Sequence, residues 1–121
     1  MRSLSKRSAR PGDHPLVIHI DGASRGNPGE AGAGVWLANK EGERIGEISR
    51  YLGHKTNNEA EYWALLLGLR EARRLGGESV RVFTDSELIA RQVKGLYCVK
   101  DSKLKGLYQA VLEDRKGFAS F

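Results

Sequence analysis

Three carboxylates, Asp21, Glu61 and Asp85, stand at positions from which they could act together on a metal ion. Asp21 closes the apolar run Leu16-Val17-Ile18-His19-Ile20, and Asp85 closes a second one, Val80-Arg81-Val82-Phe83-Thr84. Both runs are short and rich in β-branched residues, which predicts strands. Ligand sites in open α/β sheets gather beyond the carboxyl ends of strands, where the connections diverge. Parallel neighbours of this kind would bring the two aspartates together. An Asp beside a helix start is more commonly a cap, so Asp85-Ser86 carries little weight alone. Glu61 adds the decisive constraint. On a helical pattern it shares a face with Leu65, Gly68 and Ala72, at i+4, i+7 and i+11. That face must pack on the sheet, and burying an unpaired carboxylate costs several kcal/mol. A bound cation offsets this cost.

Oxygen donors of this type suit Mg²⁺ or Mn²⁺. His14, His19 and His54 are scattered and Cys98 is the only cysteine, so no zinc set competes and no histidine is given a catalytic role. The glycine-rich stretch after Asp21 lacks the Gly-Lys-Ser/Thr ending of a phosphate-binding loop. No nucleophile elbow is present.

The elements that must position these groups can be read along the chain. Strands are predicted at 16–20, 33–37 and 44–51, forming an antiparallel meander, with the glycine-rich turn of residues 22–29 between the first two. A long helix is predicted over 57–75. Thr56 and Glu59 form a capping box at its start, which gives Glu59 a structural use, and Gly76-Gly77 stops it. A strand at 80–84, reached through that helix, can pair parallel with an earlier one. Helices follow at 86–93 and 103–113, the latter with Leu104, Leu107, Ala110 and Val111 on one face. A fifth strand is predicted at 118–121.

The bulk properties agree with a nucleic-acid partner. The chain has 121 residues, a net charge of +5 and 40% hydrophobic residues. This predicts one domain able to bury its own core. The basic balance suits a polyanion. Lys94, Lys100, Lys103 and Lys105 could extend a phosphate track, although a solvated charged face explains them equally well. Trp36 and Trp63 read as packing residues. Residues 1–14 are basic and Ser-rich, lack a secretory apolar core and read as a disordered arm; residues 15–121 form the domain. With one cysteine no internal disulfide can form, which fits a reducing compartment, and a cytoplasmic location is expected.

Three motifs, taken together, resemble the core motifs of type 1 ribonuclease H. They are Asp21-Gly-Ala-Ser-Arg-Gly-Asn-Pro-Gly29, Thr56-Asn-Asn-Glu-Ala-Glu-Tyr62 and Phe83-Thr-Asp-Ser-Glu-Leu88. Their order and spacing match, and the likeness runs from about residue 15 to 121. The stretch Val93-Lys-Gly-Leu-Tyr-Cys-Val-Lys100 resembles the variant without the basic protrusion between helices. The resemblance implies an α/β ribonuclease H-like fold, with a five-stranded mixed sheet in the order 3-2-1-4-5 flanked by helices. It implies hydrolysis of the RNA strand of RNA–DNA hybrids by two metal ions, with Asp21, Glu61 and Asp85 as catalytic and metal-binding carboxylates. It implies that Gly22, Ser24, Asn27, Asn57 and Asn58 contact the hybrid, and that Thr56 and Asn27 form a pocket for a DNA phosphate.

The family also carries a fourth acidic residue at the start of a final helix, after a loop with a histidine. Neither has a matching position here, and Asp101 and Asp114 fall too early to substitute. Impaired cleavage is therefore expected, with Mn²⁺ as a better substitute for Mg²⁺. Self-association could cover the apolar sheet surface left without the final helix, and the expectation is a monomer or a chain self-associated through that C-terminal region. Two other readings compete: a module that binds hybrid or double-stranded RNA with little catalysis, and a polynucleotide transferase of the same broad fold. The Asn57-Asn58 pair and the glycine turn argue against the transferase.

Overall fold

Alternation along the strands sets the layers of the molecule. In the computed structural model, which describes residues 16–95, 98–116 and 118 and the backbone of residues 2 and 3, Val80, Val82 and Thr84 are buried while Arg81 and Phe83 are half-buried. Ile18 and Ile20 are buried on the same face, with Val17, His19 and Asp21 on the other. The elements are β1 (Arg2–Ser3), β2 (Leu16–Arg25), β3 (Gly29–Ala38), β4 (Arg44–Lys55), α1 (Asn57–Arg74), β5 (Val80–Thr84), α2 (Glu87–Val93) and α3 (Ser102–Arg115). They form one mixed sheet in the order β1-β5-β2-β3-β4. β2, β3 and β4 make the antiparallel meander, and β5 lies parallel to β2. The parallel pairing follows from the crossover through α1, as expected from the sequence.

α1 packs on the sheet through Leu65, Leu69 and Ala72, all fully buried. Gly68 makes the approach close: a Cβ there would lie 2.7 Å from Ile18 Cγ2 and 3.3 Å from Val35 Cγ1. The predicted capping box is present, with Thr56 Oγ1 accepting from the Glu59 N–H and the Thr56 N–H donating to Glu59 Oε1. At the other end the Gly77 N–H bonds the Ala72 carbonyl and the Gly76 N–H bonds that of Arg73. This is the double closure typical of a glycine-terminated helix. α3 lies on α1, where Arg70 Nε donates to Asp114 Oδ2 at 3.0 Å. No helix among the described residues is long and apolar enough to cross a membrane.

Two expectations are corrected. The hairpin strands are longer than predicted: β2 runs through Asp21 to Arg25, and β3 starts at Gly29 rather than Ala33. The glycines that read as a loop lie mostly inside strands, at places where a neighbour comes too close for a side chain. A Cβ on Gly29 would sit 1.5 Å from the Arg25 carbonyl oxygen. The second correction concerns the sheet edge. The first four predicted strands take the expected order 3-2-1-4, but the strand beside β5 is Arg2–Ser3, paired antiparallel with Phe83 and Thr84. An edge strand presents unpaired N–H and C=O groups that any extended segment can satisfy. Of the predicted fifth strand at 118–121, only Phe118 is among the described residues, as a buried bend. The stretch read as an arm lies outside them except for Arg2 and Ser3.

Candidate active site

Glu61 is joined by hydrogen bonds to both aspartate-bearing strands. It lies in the second turn of α1 and is 6% exposed. Its Oε1 accepts from the Gly22 N–H at 2.6 Å, and its Oε2 accepts from the Thr84 hydroxyl. Gly22 follows Asp21 and Thr84 precedes Asp85. The parallel register pairs His19 with Phe83, which sets Asp21 level with Asp85 two places further on. Both aspartates are exposed, and they line one groove of about 380 Å³ with His19, Trp36, Glu47 and Ser49. Burial pushes the Glu61 carboxyl above the ordinary range. The Thr84 and Gly22 hydrogen bonds oppose that shift, and the charges of Asp21 and Asp85 add to it. The three carboxylates therefore share one electrostatic site.

A second contact lies one helical turn away. Asn57 Oδ1 accepts from the Ser24 N–H at 2.7 Å and lies 2.9 Å from Ser24 Oγ, while Asn27 Oδ1 accepts from the Asn57 N–H at 3.1 Å. Two residues of strand rise about 6.6 Å and four of helix about 6 Å. The Gly22–Glu61 and Ser24–Asn57 contacts can thus close together like rungs of a ladder. Gly22 must be glycine, because a Cβ would fall 2.3–2.4 Å from the backbone of Ala60 and Glu61.

The structure brings Gly22, Ser24, Asn27, Thr56 and Asn57 together around the start of α1, with Asn58 half-buried beside them. Several already have partners inside the protein. The Gly22 N–H serves Glu61, and Thr56 serves the capping box. Asp101 and Asp114 have structural partners, the Lys103 N–H and Arg70. Lys100, Lys103 and Lys105 are exposed and Lys94 is half-buried. Trp63 packs against the core. Trp36 stacks on His19 at 3.8 Å with Arg44 over its ring. Burial and the Arg44 charge hold the His19 imidazole below its usual pKa.

The reverse transcriptase-like family matches residues 19–121. The N-terminal RNase H domain of Rv2228c from Mycobacterium tuberculosis, solved as a fusion with maltose-binding protein, superimposes with a TM-score of 0.84 at 37% identity. That match covers 86% of this chain and 80% of the solved one. The chain belongs to the ribonuclease H family. Another ribonuclease H structure, LC11-RNase H1 in complex with an RNA/DNA hybrid, matches with a TM-score of 0.80 at 39% identity over 84% of this chain and 76% of that one. Ribonuclease HI of Halobacterium salinarum is 38% identical over 87 residues, which is 72% of this chain and 44% of the relative. The chain spans less than half the length of the curated relatives it matches first, 26% for the whole bifunctional protein Rv2228c.

Ribonucleases H generally use divalent metal ions, and the donor set fits such ions. All three groups are carboxylates, and each Glu61 oxygen keeps a lone pair beyond its hydrogen bond. Among the described residues no three His, Cys, Asp or Glu side chains stand preformed as a ligand cage. Asp21 and Asp85 are exposed at the groove beside Glu61, where their side chains have room to rotate. Sequence reasoning missed Thr84. Its one signal was parity: Thr84 shares the buried face of β5 with Val80 and Val82, but parity names no partner for its hydroxyl.

Proposed function

We propose that this chain is an endoribonuclease that hydrolyses the RNA strand of RNA–DNA hybrids, with Mg²⁺ or Mn²⁺ held by Asp21, Glu61 and Asp85. One observation carries the reading: Glu61, buried on α1, is hydrogen-bonded to the residue after Asp21 and to the residue before Asp85. A cation offsets the cost of gathering three carboxylates at one point. Divalent ions bound there would activate the attacking water and neutralise the leaving oxygen. Ser24, Asn27, Asn57 and Asn58 supply hydrogen-bonding groups for the hybrid, including the 2′-OH that separates RNA from DNA. The positive end of the α1 dipole, beside Thr56, favours a backbone phosphate. The hybrid seen with LC11-RNase H1, which shares the fold, supports the same substrate class here.

The test is single-turnover cleavage of one defined hybrid in Mg²⁺ and in Mn²⁺, beside duplex DNA and duplex RNA of the same sequence. Cleavage confined to the RNA strand of the hybrid is expected. Equal cutting of duplex DNA refutes the proposal. Hybrid binding without cleavage in either metal identifies a binding module instead.

A further inference from the structure

Thr84 is fully buried at the last position of β5, and its hydroxyl makes two bonds. Oγ1 accepts from the Ser86 N–H at 3.1 Å and donates to Glu61 Oε2. A hydroxyl has one proton, so accepting from Ser86 leaves that proton for Glu61. The first bond closes a tight turn around Asp85, which lies between the two bonded residues. The second fixes one end of the Glu61 carboxylate, the Gly22 N–H holding the other. Ser86 in turn caps α2 through the Ile89 N–H at 3.2 Å.

We infer that Thr84 is a positioning residue for the metal centre, setting the carboxylate plane of Glu61 and the backbone of Asp85 through one hydroxyl. This inference rests on the metal-dependent reading above. It differs from a merely structural role, in which Thr84 would only satisfy a buried carboxylate. A structural hydroxyl changes stability; a positioning hydroxyl changes the affinity of the folded protein for the ion. Partners that orient metal ligands have this effect in other proteins.

The experiment is a calorimetric titration of Mn²⁺ alone into the full chain and into Thr84→Val, Thr84→Ala and Thr84→Ser, with the melting temperature of each in EDTA. Thr84→Val keeps the shape and loses the hydroxyl, while Thr84→Ser keeps the hydroxyl. In Thr84→Val the Mn²⁺ dissociation constant is expected to rise about tenfold or more, with Thr84→Ser within about threefold of wild type. The Mg²⁺ concentration for half-maximal hybrid cleavage moves in parallel. Should Thr84→Val not fold, Thr84→Ala carries the same comparison with Thr84→Ser. A folded Thr84→Val or Thr84→Ala that binds Mn²⁺ like wild type, while wild type binds the ion and cuts the hybrid, overturns the inference alone. A wild-type chain that binds no Mn²⁺ overturns the metal-dependent reading, and this inference with it.

Discussion

Gly22→Ala tests the close approach on which the site depends. The added Cβ would lie 2.3 Å from the Ala60 carbonyl carbon and 2.4 Å from both the Ala60 oxygen and the Glu61 nitrogen. These are backbone atoms of a helix and cannot turn aside. Restoring van der Waals contact needs β2 and α1 to separate by about 1 Å. That movement stretches the 2.6 Å bond between the Gly22 N–H and Glu61 Oε1 beyond hydrogen-bonding range. Overpacking of a tight contact costs about 1–3 kcal/mol. The bond to a charged acceptor contributes roughly 1.5–3 kcal/mol more. The sum, on the order of 2.5–6 kcal/mol, lowers the melting temperature by roughly 10 °C or more in a domain of this size. Mn²⁺ affinity and hybrid cleavage fall with it, because Glu61 is no longer tied to the strand that carries Asp21. The assay is thermal unfolding in EDTA, followed by Mn²⁺ titration at a temperature where the variant is folded. Gly106→Ala on α3 is the control, since nothing lies within 4 Å of its Cβ position; it should gain up to about 1 kcal/mol from helix propensity. A Gly22→Ala protein that melts within a degree or two of wild type and binds Mn²⁺ normally refutes the reasoning.

Three further outcomes are expected. Asp85→Asn should lower single-turnover cleavage by orders of magnitude while leaving the melting temperature in EDTA nearly unchanged, because Asp85 is exposed and its charge serves the ion. Glu61→Gln should abolish cleavage yet, without metal, melt at or above wild type at pH 7. Burial raises the folded-state pKa of Glu61 above 4.5, the Thr84 and Gly22 bonds oppose that rise, and the Asp21 and Asp85 charges add to it. The wild-type contribution is therefore fully present below pH 4.5 and lost as pH rises through the raised value, so the gap between the two proteins should close towards pH 4; a gap that widens on acidification contradicts this. Hybrid affinity should fall steeply and log-linearly with salt, as basic residues displace phosphate counterions, and a flat salt profile argues against a phosphate-tracking surface.

The α1 capping box was legible as a local cap and the parallel β2–β5 pair from the crossover through a helix, while the order 3-2-1-4 came from the resemblance. Apolar residues alternate at two along β5, and the burial of Leu65, Gly68 and Ala72 repeats the face read for Glu61. The lengths of β2 and β3 were not legible. Gly22, Gly29, Gly32 and Gly34 weaken the strand signal by composition, and the reason for Gly22 and Gly29, a backbone at contact distance, exists only in three dimensions. Thr84 was hidden for a similar reason. A Thr closing a β-branched run reads as one more strand residue until the opposing helix shows a carboxylate within reach of its hydroxyl. The resemblance placed Ser24, Asn27 and Asn57 at the substrate. In the folded chain they also bind one another, which gives these residues a structural use beside the one proposed.

The three α1–β2 contacts also fix how the site is registered. Moving along α1 from Asn57 to Glu61 to Gly68, the partners on β2 run backwards, from Ser24 to Gly22 to the pair Ile18 and Ile20. Eleven helical residues advance about 16.5 Å. The strand distance from Ser24 to the midpoint between Ile18 and Ile20 is five residues, also about 16.5 Å. Helix and strand therefore run antiparallel and in step, touching closely at a glycine of the strand and again at a glycine of the helix. A slip of one residue along α1 turns its contact face by about 100°, which would point Glu61 away from the Gly22 N–H and the Thr84 hydroxyl together. The carboxylate is thus placed by two close packing contacts, one at Gly22, which also donates to it, and one about two turns further along α1 at Gly68, and the apolar core beneath Gly68 is as much a determinant of its position as the polar groups it touches.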